Sequence, residues 1–370
     1  MEKLKIGILG TRGIPNYHGG FEQFAEFFSV FLKEKGHDVY VYSSGNHPYQ
    51  KNEFKGVKLI HCKDPENKVG TIGQFIYDLN CIRNSRKREF DILLQLGYTS
   101  NSVWYPWLPK KPVIITNMDG LEWKRTKYSS KVRRFLKYAE SLAVKSSDFL
   151  VADSKGIQDY LKETYNVPSK YIAYGSFLFS NSNTRILSNY DVSPFHYNML
   201  IARLERENSI EMILDGVVET KSDIPFLVVG KHDTNKFGAY LKDKYKDHLN
   251  IRFIGGVYNQ EHLNNLRYYS KVYFHGHTVG GTNPSLLEAM ASDSLIVAHE
   301  NQFNKAILNT DALYFQDTEG VTAILKKITD KEEYRNFLDN NRDKIKNIYS
   351  WDIINNAYLE FMEQTYEHNR

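Results

Sequence analysis

Short apolar runs alternate with amphipathic segments along most of the 370-residue chain. In the first half, apolar runs predict strands at 4–9, 38–43, 57–61, 91–96, 112–116, 148–152 and 170–174. Helical periodicity occurs between them, at about 20–35, 71–88, 130–147 and 154–165. Alternation of this kind is typical of β–α–β units built around a parallel sheet.

The same pattern restarts after a polar segment at 177–194, which is rich in Ser and Asn and predicts a linker. Strands are predicted at 197–202, 225–229, 250–254, 271–275 and 294–298, and helices at 209–220, 259–269 and 284–292, with two or three more after them. The chain is therefore expected to be α/β, with two Rossmann-like doubly wound domains at 1–176 and 195–350. The domains would face each other across a cleft, because ligands of such sheets bind beyond the carboxyl ends of the strands.

Composition shows an uneven distribution of charge along the chain and indicates the cellular compartment. Residues 1–176 carry 27 Lys and Arg against 18 Asp and Glu, whereas the remainder carries 21 against 26. The net charge of +4, without a recognisable module, does not favour nucleic-acid binding. No long apolar run predicts a membrane span and no signal-peptide pattern precedes the first strand, so a cytoplasmic protein is expected. Two cysteines fit a reducing compartment.

The first candidate site is the loop GTRGIPNYHGGFE at 10–22, between the first predicted strand and helix. Backbone amides of such a loop can approach a phosphate, and the helix N-terminus adds positive potential. The glycine spacing is not that of the dinucleotide fingerprint, and the second strand ends in Ser43 and Ser44 instead of an acidic residue. Both features argue against an NAD oxidoreductase. The alternative to a phosphate-binding role for the loop is a plain strand-to-helix turn.

Two further motifs follow strands of the second predicted domain. RLEREN at 203–208 places Arg203 at a strand end, where an arginine can make two charge-assisted bonds to a diphosphate; a solvated turn is the alternative. HGHTVGGTNPSLLEAM at 275–290 predicts a helix capped by Thr282 or Asn283, with Glu288 one turn inside, where its carboxylate can accept ribose hydroxyls. The histidine pair lacks a nearby third ligand, so no metal site is predicted.

A fourth motif, NMDGLEW at 117–123, precedes seven basic residues with no acidic residue among them. These are Lys124, Arg125, Lys127, Lys131, Arg133, Arg134 and Lys137. The apolar face of the same predicted helix carries Val132, Phe135, Leu136 and Ala139. A basic amphipathic helix binds anionic membrane surfaces with about 1 kcal/mol per basic residue, so this surface is predicted to face a membrane. An ordinary solvated helix face is the alternative.

Taken together, the motifs GTRGIPNYHGGFE, NMDGLEWKR, ARLERENSIEMILDG and HGHTVGGTNPSLLEAMA resemble those of the retaining family 4 of GT-B glycosyltransferases. The resemblance is greatest to the bacterial rhamnosyltransferase branch that makes capsule and cell-wall polysaccharide. It covers almost the whole chain and implies a hexosyltransferase that retains anomeric configuration and needs neither a metal nor a cofactor. The implied donor is dTDP-rhamnose, or failing that a UDP-hexose. The implied acceptor is a saccharide on polyprenyl diphosphate, at the inner face of the plasma membrane.

By position, the resemblance assigns Arg203 to the donor diphosphate and Glu288 to the nucleotide ribose. The rest of the predicted donor site comprises Gly19, Gly20, Glu205, Asn208, His275, Thr282, Asn283, Pro284 and Ser285. Asn208 replaces the usual Lys of the family, so Arg206 or Arg12 is expected to meet that phosphate charge. Gly280 replaces the first of two glutamates, and Asp119 replaces a histidine. Residues 351–370 resemble the GT-B helix that crosses back onto the first domain.

Four carboxylates are candidates for the acceptor chemistry. Asp119 is expected to orient or deprotonate the acceptor hydroxyl. Asp153 is a second candidate, with a helix N-cap as its alternative role, and Glu122 and Glu205 are weaker ones. A nucleotide-sugar epimerase of the same fold and a non-catalytic sugar-nucleotide sensor are the remaining alternatives for the whole protein.

Overall fold

The computed structural model describes residues 2–125, 127–233 and 235–369. Within these residues the chain forms two compact units. Unit 1 comprises Met1–Lys124, Tyr128–Tyr174 and Trp351–Arg370, and unit 2 comprises Arg125–Lys127 and Gly175–Ser350. The C-terminal segment therefore belongs with the first half of the chain, whereas a three-residue segment of that half belongs to unit 2.

Unit 1 is built on a mostly parallel sheet. Its strands are β1 (Lys5–Leu9), β2 (Asp38–Ser44), β3 (Glu53–Phe54), β4 (Val57–Cys62), β5 (Ile92–Leu96), β6 (Val113–Asn117), β7 (Phe149–Ala152) and β8 (Lys170–Tyr171). Its first helices are α1 (Gly20–Glu34), α2 (Glu66–Val69), α3 (Ile72–Ser85), α4 (Ser130–Ser146) and α5 (Lys155–Tyr165). Over the described ranges the strand order is β3-β4-β2-β1-β5-β6-β7-β8, and β3 pairs antiparallel with β4. Strands β5 and β6 are buried along their whole length, which explains why they read as continuous apolar runs.

Unit 2 repeats the scheme with a parallel sheet. Its strands are β9 (Asn198–Ile201), β10 (Phe226–Val229), β11 (Ile251–Gly255), β12 (Val272–His275), β13 (Ile296–His299) and β14 (Leu313–Phe315). Its helices are α6 (Ile210–Thr220), α7 (Lys236–Lys244), α8 (Gln260–Tyr269), α9 (Pro284–Ala291), α10 (Gln302–Leu308), α11 (Thr318–Lys327) and α12 (Arg335–Asn347). In the described part of the chain the strand order is β11-β10-β9-β12-β13-β14.

The last helix, α13 (Trp351–His368), is part of unit 1. Its Tyr358 ring lies 4.7 Å from the ring of Phe24 and 5.2 Å from that of Phe28, both on α1. Full burial of one large apolar side chain stabilises a fold by about 1.5–3 kcal/mol. These aromatic contacts therefore fasten α13 to unit 1.

The predicted fold class is confirmed, since each unit is a Rossmann-like α/β sheet. Each strand that the apolar pattern predicts is present. The pattern misses β3 and β14, which have two and three residues, the four-residue helix α2, and the nine-residue helix α7, which is rich in Lys. Elements of two to four residues contain too few periodic positions for the pattern to be recognised.

The segment 177–194, predicted as a linker, packs as part of unit 2. It contains a 3-10 turn at Thr184–Tyr190 with Ile186 and Leu187 buried. The Tyr190 hydroxyl lies 2.8 Å from Nδ1 of His262 on α8. A polar composition rich in Ser and Asn indicates irregular backbone, but it does not show whether that backbone packs against a core.

Candidate active site

The carboxyl ends of β9 and β12 lie side by side in unit 2, because the two strands pair in parallel through Leu200 and Phe274. Arg203 follows the end of β9, and its side chain is exposed. The turn after it is braced from within, since the Arg203 carbonyl accepts hydrogen bonds from the Glu205 amide (2.8 Å) and from Asn208 Nδ2 (2.7 Å). A rigid turn thus presents a guanidinium at the edge where parallel α/β sheets bind ligands.

Glu205 and Asn208, both predicted to contact the donor, have roles within this turn. Asn208 is buried, and its amide donates to the Arg203 carbonyl. Glu205 Oε1 accepts a hydrogen bond from Asn235 Nδ2 at 3.3 Å. A Cβ on Gly276, just after β12, would come within 2.1 Å of the Asn208 carbonyl oxygen, so only glycine allows the two turns to approach this closely.

Helix α9 begins as predicted, with Asn283 as its N-cap and Pro284 in its first position. Asn283 Oδ1 accepts a hydrogen bond from the Ser285 amide at 2.9 Å. The backbone N–H groups of a helix N-terminus and the helix dipole favour an anion at this end. Thr282, next to the cap, is buried. Gly280 has a φ of 140°, a conformation strained for any L residue, which explains why this position is a glycine.

Glu288 lies one turn further into α9 and forms a buried ion pair. Its Oε2 accepts a hydrogen bond of 2.5 Å from Nη2 of Arg267 on α8, and the Arg267 side chain is 1% exposed. The same nitrogen lies 3.3 Å from Ser285 Oγ, which in turn lies 2.8 Å from the Tyr273 hydroxyl. A buried guanidinium requires a paired carboxylate. Glu288 therefore has a structural partner in addition to any ligand that it binds.

His275 and His277 stack on each other at the end of β12, with ring centroids 4.4 Å apart and planes 15° apart. Neither ring nitrogen of His275 has a hydrogen-bond partner among the residues that the structure describes, although the residue is buried. Burial lowers the pKa of His275 well below its usual range. Burial, together with the nearby guanidiniums of Arg203 and Arg125, lowers the pKa of His277 to about 3. Both imidazoles are therefore neutral at physiological pH, so they can offer hydrogen bonds but no charge.

Within the described ranges, no three His, Cys, Asp or Glu side chains cluster in a way that could hold a metal ion. The guanidinium of Arg203 and the N-terminus of α9 are fixed donors of the kind that can stabilise developing negative charge.

In unit 1, Asp119 lies in a turn at the end of β6. Asn117 Oδ1 accepts a hydrogen bond from the Asp119 amide at 3.0 Å, and Asn117 Nδ2 donates to the Tyr358 hydroxyl at 2.7 Å. Asp119 has a φ of 53°, a left-handed conformation that Asp adopts more readily than most residues. Helix α13 thus helps to fix the backbone of the predicted catalytic residue.

The segment after this turn is anchored by Glu140 of α4, which is 1% exposed. Its carboxylate accepts hydrogen bonds from Trp123 Nε1 (3.0 Å), Lys137 Nζ (2.9 Å) and the hydroxyls of Tyr160 (2.6 Å) and Tyr165 (2.7 Å). Burial and the hydrogen bond to this carboxylate raise the pKa of Tyr165. A buried carboxylate with this many donors is well satisfied, and it joins the 120–124 segment to α4 and α5.

Asp153 follows β7, the neighbour of β6, and is buried. The N-cap of α5 is Ser154, whose Oγ accepts from the Ile157 amide at 3.3 Å, so the alternative N-cap role for Asp153 is wrong. Burial, followed by the charges of Asp119 and Asp153, raises the pKa of Tyr174. The two carboxylates therefore lie near the same buried phenol.

Glu122, the weaker catalytic candidate, opens the 3-10 turn Glu122–Lys124 and is half-buried. Its amide donates to the Gly120 carbonyl at 2.9 Å. Glu122 thus lies in the segment that Glu140 anchors, next to the Asp119 turn.

The glycine loop between β1 and α1 satisfies several of its amides with its own side chains. Glu22 Oε1 accepts from the Arg12 amide at 2.8 Å, and Asn16 Oδ1 accepts from the Gly19 amide at 3.2 Å. Gly19 and Gly20 form the start of α1, and Gly19 is extended, with a φ of −174°. A phosphate bound at the Arg12 and Gly19 amides would have to displace the Glu22 carboxylate and the Asn16 side chain. The loop is therefore less suited to phosphate binding than its glycines suggest.

The two arginines proposed from sequence to replace the missing Lys have other partners. Arg12 forms ion pairs with Asp64, at 3.3 Å, and with Glu66, both in unit 1. Arg206 lies 4.7 Å from the centre of the Phe237 ring. Neither arrangement supports a role for these guanidiniums at the diphosphate.

The basic surface before and along α4 is present in part. Exposed side chains are those of Lys124, Lys127, Lys131, Arg133 and Arg134. Val132, predicted on the apolar face, is 40% exposed, whereas Leu136 and Ala139 are buried. In the described chain, none of the helices has the length and apolar character needed to cross a membrane.

Lys137 and Arg125, two of the seven residues predicted to face a membrane, are instead held against the protein. Lys137 lies between aromatic rings, with Nζ 4.7 Å from the Trp123 ring and 4.5 Å from the Tyr160 ring, and it donates to Glu140. Arg125 is half-buried and forms an ion pair with Glu207. Arg125 is held by a carboxylate from another element, whereas Lys137 pairs with Glu140 on its own helix α4 and packs against rings from other elements.

Among the buried charged residues that sequence reasoning missed are Arg267, Glu140 and Glu207. The first two share a signal, because each lies four residues after a buried leucine, Leu263 or Leu136, on the apolar face of its helix. A charged residue within an apolar stripe indicates a buried ion pair or hydrogen-bond network.

Comparisons with known proteins agree with this architecture. Residues 3–177, slightly less than half of the chain, match a family model described as a domain of unknown function (DUF1972). No curated protein matches the sequence. Solved structures match over nearly its whole length, including the sucrose-phosphate synthase of Thermosynechococcus elongatus, at a TM-score of 0.79 and 14% identity, covering 99% of this chain and 100% of that one.

Two further matches are of the same kind. A glycosyltransferase of Rickettsia africae has a TM-score of 0.76 at 15% identity and covers 99% of each chain. The HepE protein of Anabaena, in complex with UDP and glucose, has a TM-score of 0.78 at 14% identity, covering 98% of this chain and 100% of that one. At these identities the likeness shows the fold, which is the GT-B fold of glycosyltransferases.

Proposed function

We propose that this protein is a retaining glycosyltransferase that moves a hexose from a nucleotide diphosphate donor to a lipid-linked saccharide in surface polysaccharide synthesis. The observation that carries the proposal is the edge of unit 2 where Arg203, exposed after β9, lies beside the strand that leads to the capped N-terminus of α9 and to Glu288. Guanidinium, helix N-terminus and carboxylate match the diphosphate and sugar hydroxyls of such a donor. The HepE complexes with UDP and UDP-glucose, in the same fold, support this class of ligand.

In the proposed reaction, negative charge grows on the leaving diphosphate as the glycosidic bond to it breaks. Arg203 stabilises that charge with two charge-assisted hydrogen bonds, and the N–H groups at the start of α9 add fixed dipoles. The neutral imidazole of His275 supplies a further hydrogen bond without adding charge. This set needs no metal ion, so transfer is proposed to be metal-independent.

On the acceptor side, we assign Asp119 to orient or deprotonate the attacking hydroxyl, with Asp153 as the second candidate. Both follow neighbouring strands of unit 1, and the brace from Asn117 fixes the backbone of Asp119. A pre-positioned carboxylate of this kind contributes about 10²- to 10⁴-fold to a proton transfer.

We propose dTDP-rhamnose as the donor, with a UDP-hexose as the alternative. The deoxyribose of dTDP presents one hydroxyl to Glu288, whereas the ribose of UDP presents two. The Arg267 contact holds the Glu288 carboxylate in one orientation, and either sugar can donate a hydrogen bond to it.

A thermal-shift screen tests the donor class. We expect dTDP-rhamnose or UDP-hexoses to raise the melting temperature and GDP-sugars to have no effect. A ligand at 100 times its Kd stabilises the folded state by about 2.7 kcal/mol. Failure of every dTDP- and UDP-sugar to stabilise the protein would contradict the proposal. A shift with those donors that persists unchanged in Arg203→Ala would contradict the assignment of the site.

Product analysis separates the remaining alternatives. A transferase consumes donor only when an acceptor is present, apart from slow hydrolysis. A nucleotide-sugar epimerase would convert the donor without an acceptor, and a sensor would bind it without turnover.

We further propose that the protein works at the cytoplasmic face of the plasma membrane, bound through the exposed basic residues of α4. Replacing Lys131, Arg133 and Arg134 with glutamine should weaken binding to anionic vesicles by about 100-fold, because each basic residue near the surface contributes about 1 kcal/mol. Vesicle co-sedimentation at low and moderate salt measures the effect.

The matched control removes the same charge from unit 2, with glutamine at the exposed Lys326, Lys327 and Lys346. Its vesicle binding should stay close to that of the parent protein. Equal losses in the two triple variants would show a general charge effect, and binding that does not respond to salt would rule out the α4 surface.

A further inference from the structure

The turn at 203–208, proposed above to bind the donor diphosphate, contains two arginines, Arg203 and Arg206. Asn208 carries no charge, and its amide is engaged inside the turn. Arg12 and Arg206 have other partners. A diphosphate carries more than one negative charge, so a second cation is expected beside Arg203.

Arg125 has the position that such a cation requires. The segment Arg125–Lys127 belongs to unit 2, although it follows the NMDGLEW motif. Arg125 Nη1 lies 3.7 Å from Glu207 Oε1, and the two side chains are 16% and 2% exposed. The guanidinium is thus held at the Arg203 turn, in which Glu207 lies.

The same turn is tied to the loop that leads into α9. The Glu207 carbonyl accepts hydrogen bonds from the Thr278 amide (3.0 Å) and from Thr278 Oγ1 (2.8 Å). Glu207 therefore connects three parts of the candidate site: the Arg203 turn, the glycine loop before α9 and, through its carboxylate, Arg125.

The electrostatics of His277 agree with this placement. After burial, the charges of Arg203 and of Arg125 lower the pKa of this imidazole. Both guanidiniums therefore act on a side chain that lies between the end of β12 and the start of α9.

We propose that Arg125 is a second donor-binding arginine, which acts beside Arg203 as a positive partner of the donor diphosphate. The inference rests on the proposed function. Glu207 orients the guanidinium, and an arginine has five N–H donors in a fork, so the ion pair with Glu207 is compatible with binding a phosphate oxygen.

Binding measurements on the whole protein test this role. The Kd values of dTDP and UDP, and of thymidine and uridine, are measured by calorimetry for the parent protein and for Arg125→Gln, Arg125→Lys and Arg185→Gln. We expect Arg125→Gln to weaken diphosphate binding by about 10- to 100-fold and to leave nucleoside binding unchanged. Arg125→Lys should recover part of the loss, and Arg185→Gln, an exposed position in unit 2, should match the parent.

The outcomes separate the two proposals. If the parent binds neither dTDP nor UDP, the proposed function fails, and this inference fails with it. If the parent binds and Arg125→Gln binds the diphosphates equally well, the Arg125 inference fails and the function stands. If Arg125→Gln weakens the binding of diphosphates and of nucleosides by the same factor, Arg125 has a structural role and the inference is wrong.

Discussion

Replacing Arg203 with alanine is expected to reduce kcat for sugar transfer by about 100- to 1000-fold, the usual cost of removing a fixed donor that stabilises developing negative charge. The fold should survive, because the side chain is exposed and the turn is held by its backbone carbonyl. Steady-state kinetics with donor and acceptor measure the effect, and circular dichroism melting checks stability.

Arg206→Ala is the matched control. It removes an arginine from the same turn, but the side chain of this arginine lies over the Phe237 ring. It should transfer sugar at close to the parent rate. Near-parent transfer by Arg203→Ala would refute the diphosphate assignment. Activity that is lost in EDTA and restored by manganese would instead refute metal-independent transfer.

Replacing Glu288 with alanine is expected to impair both stability and catalysis. Removal of the carboxylate leaves the guanidinium of Arg267, which is 1% exposed, without its partner. Breaking a buried ion pair from one side costs about 3–5 kcal/mol. The partial exposure of Glu288 favours the lower end of that range. From sequence alone the fold would be expected to survive this change, and the ion pair revises that expectation.

A double-mutant cycle isolates the pair. Urea unfolding of Glu288→Ala, Arg267→Met and the double variant should show the double variant to be less destabilised than the sum of the single changes, because neither charge is then left unpaired. Strict additivity would contradict the buried pair.

Glu288→Gln separates binding from stability in the same system. It keeps the size of the side chain and an acceptor for Arg267, so most of the stability should remain while donor affinity falls. A variant with both parent stability and parent affinity would remove Glu288 from the ribose site.

Much of the organisation of the chain follows from local pattern. The apolar runs predict all strands of both sheets except β3 and β14, and Asn283 and Pro284 predict the start of α9. The motifs with Asp119 and Arg203 are predicted at strand ends and are found there. These features depend on residues that are close in sequence, because strand and helix periodicity and helix capping act over a few residues.

The partners of the charged side chains come from the tertiary structure. Lys137 and Arg125 belong to a run of basic residues that looks uniform in sequence. In the structure Arg125 is held by Glu207 from another element, and Lys137, paired with Glu140 on its own helix, packs against the rings of Trp123 and Tyr160 from other elements. Arg267 and Glu288 lie on different helices and meet because α8 and α9 pack on one sheet. Periodicity shows which face of a helix is buried, but the neighbour that packs against that face depends on the path of the whole chain. The sequence by itself therefore determined the two sheets and the strand ends that carry the motifs, whereas the tertiary structure decided which cations remain available to a ligand.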